Sequence, residues 1–170
     1  MSFKSNEGSS RQRRRLVTEV KAALRGLNGQ LTQLNHRVGT RLGLKDADLD
    51  CLDVIQRHGP LGPSTLARLA GVHPATLTGV LDRLQRAGWI TRDRDPEAAD
   101  RRAVTVRALP ARNPEMFRLY AGMNHAMDGV CAAYTEAELT LLADFLRRTA
   151  EAGRTATHDL SAHKTPAQDP

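Results

Sequence analysis

Glycine and proline cut the stretch from Gly59 to Arg107 into pieces of fixed length: GPLGPSTLARLAGVHPATLTGVLDRLQRAGWITRDRDPEAADRRAVTVR. The first piece opens at Gly62-Pro63, with proline preset for the first helical position. Leu66, Ala67 and Leu69 give it an apolar side, and Gly71 ends it where a tight turn needs a left-handed or unhindered backbone. A second helix is expected from about Pro74 to Ala87. Its Leu77, Val80, Leu81 and Leu84 fall at i, i+3, i+4 and i+7 and share one inward stripe. Gly88 stops it. Two helices this short have no stability alone, so they must pack on each other and on neighbouring elements.

The opposite face of the second helix carries the chemistry. Ala75, Gly79, Asp82 and Arg86 point away from the stripe, flanked by Thr76, Thr78 and Arg83. That face is small near its start and basic near its end. Small residues let a helix backbone approach a duplex, and Arg reaches bases or phosphates. Gly79 inside a helix costs roughly 1 kcal/mol against Ala, consistent with something approaching there. The bland alternative is a tolerated surface glycine.

After Gly88, Trp89-Ile90-Thr91-Arg92 and Ala103 to Leu109 read as two strands, with Val104 and Val106 inward and Thr105 and Arg107 outward. RDPEAADRR between them is rich in turn formers and too polar to bury. Arg101 and Arg102 are placed to enter a minor groove, whose negative potential attracts Arg. Helix, turn, helix and charged hairpin together define a winged helix-turn-helix within a mainly α (α+β) fold, flanked by long terminal helices. Such a unit lays its second helix in the major groove of double-stranded DNA.

Leu16, Val20, Leu24, Leu27, Leu31, Leu34, Val38 and Leu42 recur in steps of three and four, marking one long helix with a narrow seam. Gly26, Gly29 and Gly39 weaken it alone, so packing must hold it. DADLDCLDVIQRH, from Asp46 to His58, is a shorter helix burying Leu49, Leu52 and Ile55. Past the hairpin, Met116, Leu119, Tyr120, Met123, Met127, Val130, Cys131 and Tyr134 repeat at helical spacing. Thr135 to Glu138 forms a capping box that opens a last helix, which carries Leu139, Leu142, Phe145 and Leu146 on one side. The expected layout is a disordered arm over 1–12, a helical dimerisation region over 13–45 and 110–153, the winged unit over 46–109, and a flexible tail over 154–170. The seams exceed what one domain needs for its own core, which points to a homodimer. Two-fold symmetry then spaces two recognition helices about 34–36 Å apart.

Charge follows the same division. The net charge is +6 over 170 residues. Seven Lys/Arg against two Asp/Glu lie up to Arg25, and eight against five between Pro60 and Pro110. Positive charge thus gathers in the N-terminal arm and the winged unit, as a polyanionic partner requires. The run Arg11, Arg13, Arg14, Arg15 reads equally as a phosphate contact or a solvated helix start. With neither a signal peptide nor a bilayer-spanning apolar run legible, the protein is expected to be cytoplasmic, with no membrane partner.

Catalytic chemistry is not legible: there is no Gly-rich phosphate loop, nucleophile elbow or matched carboxylate pair. No cofactor is expected. His36, His58, His73 and His125 make no pair at helical ligand spacing, so no metal site is expected. Cys51 and Cys131 are too far apart to suggest a disulfide framework, and both are expected as buried, inert thiols. The rival to DNA binding is a winged helix used as a protein-protein interaction module. That use favours an apolar or acidic outer face, which the basic end of the second helix does not supply.

The runs GPLGPSTLARLAGVHPATLTGVLDRLQRAGWITR, DPEAADRRAVTVRAL and YTEAELTLLADFLRRTAEA resemble the MarR family of bacterial transcriptional regulators, over roughly Leu16 to Ala152. The resemblance implies an intertwined dimer that binds an inverted repeat. It further implies repression, relieved by a small phenolic or lipophilic effector. It carries the DNA face onto Pro74, Ala75, Thr76, Thr78, Gly79 and Arg83, and wing orientation onto Asp100 and Arg102. Asp82 faces phosphates and needs a cation, either Arg102 or Arg86 at i+4. An effector cleft is expected around His36, Arg41, Met123 and Met127. Three departures stand out: His73 replaces the usual Ser/Thr N-cap, Gly79 replaces a longer polar residue, and the hairpin is about two residues longer.

Overall fold

A computed structural model describes residues 3–94 and 104–162. Its elements are α1 (Phe3–Leu42), α2 (Asp46–His58), α3 (Pro63–Ala70), α4 (Pro74–Arg86), β1 (Ile90–Arg94), β2 (Val104–Ala108), a 3-10 turn (Pro110–Arg112), α5 (Asn113–Cys131) and α6 (Glu136–Ala162). Their contacts divide the chain into two units, one running to Tyr120 and one starting at Ala121.

The first unit holds the core. Leu49, Cys51, Leu52 and Ile55 of α2 meet Leu66 and Ala67 of α3, Leu77, Val80, Leu81 and Leu84 of α4, and Trp89, Ile90 and Val106 of the hairpin. The expected inward stripe of α4 is the buried one, residue for residue. Each of these aliphatic side chains contributes about 2 kcal/mol by leaving water. β1 and β2 pair antiparallel, Ile90 opposite Ala108 and Arg92 opposite Val106. Leu61 adds a short third rung, exchanging backbone hydrogen bonds with Val106 at 3.0 and 2.8 Å. No local sequence signal marks that rung.

Glycines set the ends. Gly71 and Gly88 adopt φ of 65° and 74°, closing α3 and α4. Gly39 has a different use. A methyl group there would lie 2.9 Å from the Leu44 carbonyl oxygen and 3.0 Å from Leu49, so α1 can turn back onto α2 only with glycine at this point. Gly39 therefore closes the α1–α2 corner rather than merely weakening α1.

Two boundaries differ from the sequence reading. α1 begins at Phe3, inside the stretch expected to be a disordered arm, and α6 runs past Gly153 to Ala162. In the added turns of α6, Thr157 Oγ1 donates to the Gly153 carbonyl at 3.0 Å. In the second unit, α6 opens at the expected capping box. The Thr135 amide donates to Glu138 Oε2 at 2.8 Å, and the Glu138 amide donates to Thr135 Oγ1 at 3.3 Å. No helix among the described residues is long and apolar enough to cross a membrane.

Candidate nucleic-acid interface

α4 presents two different faces. Its inward stripe is buried, whereas Pro74, Ala75, Thr76, Thr78, Asp82 and Arg86 are exposed and Gly79 and Arg83 partly so. From Pro74 to Gly79 nothing longer than threonine projects outward, and a methyl added at Gly79 would touch only Arg83 Nη1, at 3.4 Å. The first two turns of α4 thus offer an almost bare backbone to a broad, shallow partner.

The N-terminus of α4 is better capped than the sequence suggests. His73 is no lost cap, because its Nδ1 accepts from the Ala75 amide at 3.2 Å. An imidazole nitrogen here does the work of a Ser or Thr oxygen. Pro74 at the first position leaves one fewer amide to satisfy.

Of the two cations expected beside Asp82, Arg86 does not reach its carboxylate and Arg102 lies outside the described residues. Asp82 pairs with Arg92 of β1 at 2.5 Å, while among the described residues Arg86 bonds the Asp82 main-chain carbonyl, at 3.2 Å. The helical i+4 neighbour is within reach, but the strand lies against the same turn and delivers a guanidinium from the side. Asp82 therefore ties α4 to the hairpin, and Arg86 remains at the surface. Asp100, Arg101 and Arg102, expected to orient or form the wing, lie outside the described residues, as does the extra hairpin length.

Arg83 makes the largest departure. Its Nε lies 3.1 and 3.0 Å from the two carboxylate oxygens of Asp48, and its Nη2 lies 2.6 Å from Oδ1. Asp48 is 0% exposed in α2 and also accepts from the Lys45 amide at 3.0 Å. These hydrogen bonds raise the Arg83 pKa further above its ordinary value, so the guanidinium stays charged. Sequence reasoning missed Asp48, because a carboxylate at the first turn of a helix reads as a solvated cap.

A second arginine braces the far end of α4. Arg112 lies 4.4 Å over the Trp89 ring and donates from Nη1 to the Ala87 carbonyl at 2.8 Å. Glu115 holds its other edge at 2.6 and 2.9 Å. The last carbonyls of α4 are thus met by a cation, as the helix dipole favours.

The expected effector residues are divided between the two units, His36 and Arg41 in the first and Met123 and Met127 in the second. His36 faces Asp46 at 3.1 Å on the surface. Arg41 lines a hollow of about 370 Å³ with Leu34, Arg37, Val38, Thr40 and Leu119. Met123 and Met127 belong to the second unit. A larger hollow of about 500 Å³ lies between α3, α4 and the hairpin, floored by Ala67, Leu77 and Leu81 and edged by Arg68 and Arg92. Cys51 is fully buried, and burial first, then Asp50 and Asp48, pushes its thiol up to about 11. Cys131 is half-buried rather than fully enclosed.

A two-helix unit with a bare outward face and a following β-hairpin is the winged helix-turn-helix class. A family model described as the MarR family matches residues 44–104. The chain is 32% identical over 124 residues to YcgE of Bacillus subtilis (strain 168), an uncharacterized HTH-type transcriptional regulator, covering 72% of this chain and 79% of that one. A MarR family protein from Bacillus stearothermophilus shares the fold with a TM-score of 0.63 at 20% identity, over 82% of this chain and 96% of its own. A MarR family transcriptional regulator from Silicibacter pomeroyi aligns with a TM-score of 0.59 at 25% identity, over 76% and 86%. The chain belongs to the MarR family of winged helix-turn-helix transcriptional regulators.

Proposed function

We propose that the protein is a homodimeric repressor that lays two copies of α4 into successive major grooves of an inverted-repeat operator. The reading is carried by the outward face of α4, where Pro74, Ala75, Thr76, Thr78 and Gly79 leave the backbone uncovered beside exposed Arg86. Apolar residues on the long helices support the dimer. Leu16, Val17, Val20, Leu27 and Leu31 of α1, and Leu141, Leu142, Phe145 and Leu146 of α6, are all exposed in the single chain. Exposed apolar residues recurring along each of these helices mark an interaction face. Arg101 and Arg102, which lie outside the described residues, are taken as further DNA contacts on the strength of the sequence alone.

Release is assigned to a small phenolic or lipophilic effector. The hollow at Leu34, Val38 and Leu119, with Arg37 and Arg41 beside it, has the apolar wall and cationic edge such a compound needs. The protein-contact alternative gains nothing from α4, whose outer face is neither apolar nor acidic once Asp82 is paired with Arg92.

The test is binding to duplexes from the chain's own upstream region, read by fluorescence anisotropy and footprinting, with mass measured by light scattering. The expected result is a dimer protecting two patches one helical turn apart. Affinity should fall steeply with salt, by about one unit of log-log slope per phosphate contact. A monomer, or indifference to duplex DNA at low salt, overturns the reading. Competition by phenolic compounds tests the effector separately.

A further inference from the structure

Arg83 stands on the recognition helix, yet its best-satisfied contact faces away from any duplex. A guanidinium offers five N–H donors in a fixed planar fork. Asp48 takes the Nε edge with one hydrogen of Nη2, at 2.6 to 3.1 Å. What remains is the end of the fork, Nη1 and the second hydrogen of Nη2, which bond nothing among the described residues. Nη1 lies 3.4 Å from where a Gly79 methyl would be, so the guanidinium runs back along the helix over its uncovered turn. The arginine side chain is 33% exposed, and the carboxylate that grips it is not exposed at all.

From this we infer that Asp48 is a positioning residue for DNA recognition: it fixes Arg83 so that the free end of the fork is aimed at a base edge across the Gly79 turn. The inference rests on the proposed DNA-binding role. An unanchored arginine samples many rotamers and must be ordered when it binds, and prior fixation removes that cost. Two coplanar donors at the end of the fork match the O6 and N7 acceptors of guanine in the major groove. Phosphate would satisfy the same donors, but a phosphate contact carries no sequence information. A rigid aim is useful only where a particular acceptor must be met, so the observations favour the base. A methyl at Gly79 would only touch Nη1, at 3.4 Å, so the use of the glycine is to let the groove floor come near.

The experiment compares wild type, Asp48→Asn, Arg83→Lys and the double variant. Each is titrated against an operator duplex selected in vitro with the wild-type protein and against a random duplex of equal length, at two salt concentrations, with thermal unfolding alongside. Asn keeps the size of Asp and an acceptor for the Lys45 amide; Lys keeps the charge of Arg but not the fork. Each single variant should lose about tenfold in affinity for the operator and less than twofold for the random duplex, with an unchanged salt slope. The double variant should lose little more than either single one. Should Asp48→Asn fail to fold, Arg83→Lys, which leaves the core carboxylate a cation, decides alone. An operator-to-random ratio unchanged in a folded variant overturns the inference and leaves the pair a brace between α2 and α4. Equal loss on both duplexes with a shallower salt slope also overturns it and assigns Arg83 to phosphate. If wild type shows no preference for any duplex, the DNA-binding reading itself fails.

Discussion

The winged unit and the long helices use apolar residues in opposite ways. In α4 four of 13 residues are buried, and all four touch elements of the same chain. In α5 no residue among 19 is fully buried, and α6 exposes Leu141, Leu142, Phe145 and Leu146. One region completes its core within the chain, while the other leaves apolar side chains exposed, as the proposed dimer requires.

Leu84 is 0% exposed at the centre of the winged core. Leu84→Ala should cost about 4 kcal/mol of unfolding free energy, read by denaturant titration of Trp89 fluorescence. If it costs no more than a surface change, the winged unit is not the self-sufficient partner in this comparison. At the α1–α2 corner, Gly39→Ala forces a methyl against a backbone carbonyl at 2.9 Å. It should destabilise by about 2 kcal/mol, as overpacking does, despite the better helix propensity of Ala.

On the other side, Val20→Glu with Leu27→Glu should halve the mass measured by light scattering. Both residues are exposed in the single chain, so the near-ultraviolet dichroism of buried Trp89 should persist. A dimer that survives both glutamates would show that α1 does not carry the seam. Gly79→Ala probes the functional face. It should stabilise the chain by up to about 1 kcal/mol, yet weaken operator binding several-fold because the new methyl covers the bare turn that faces the groove. Stability and binding moving together would remove the reason for a glycine there.

The smallest effect concerns Cys51. Burial raises its thiol from 9.0 to about 11, so the neutral form is favoured in the fold. A group with a raised folded pKa contributes stability that is complete below 9.0 and lost as pH climbs towards 11. The midpoint of unfolding should therefore decline over that alkaline window more in wild type than in Cys51→Ala. Near neutral pH, Cys51 should resist alkylation until the chain unfolds.

How much of this was legible beforehand depends on the range of the interaction. The ends of α2, α3 and α4, and the capping box at Thr135, lie within a residue of where Gly, Pro and periodicity place them. The face of α4 was equally plain, because a 3.6-residue period fixes which side chains share a side. Partners were not. Asp82 meets Arg92, a cation not expected there, while Arg83 meets Asp48, 35 residues away. His73 was read as a missing cap, because residue preference says nothing about which ring nitrogen faces a given amide.

The sequence by itself determined the winged helix-turn-helix order, the inward stripe and the bare outward face, since all three follow from spacing along one chain. Only the tertiary structure decided which charges meet. A guanidinium can satisfy any carboxylate within its reach, and what lies within reach is set by how α2, α4 and β1 pack, not by their separation in sequence.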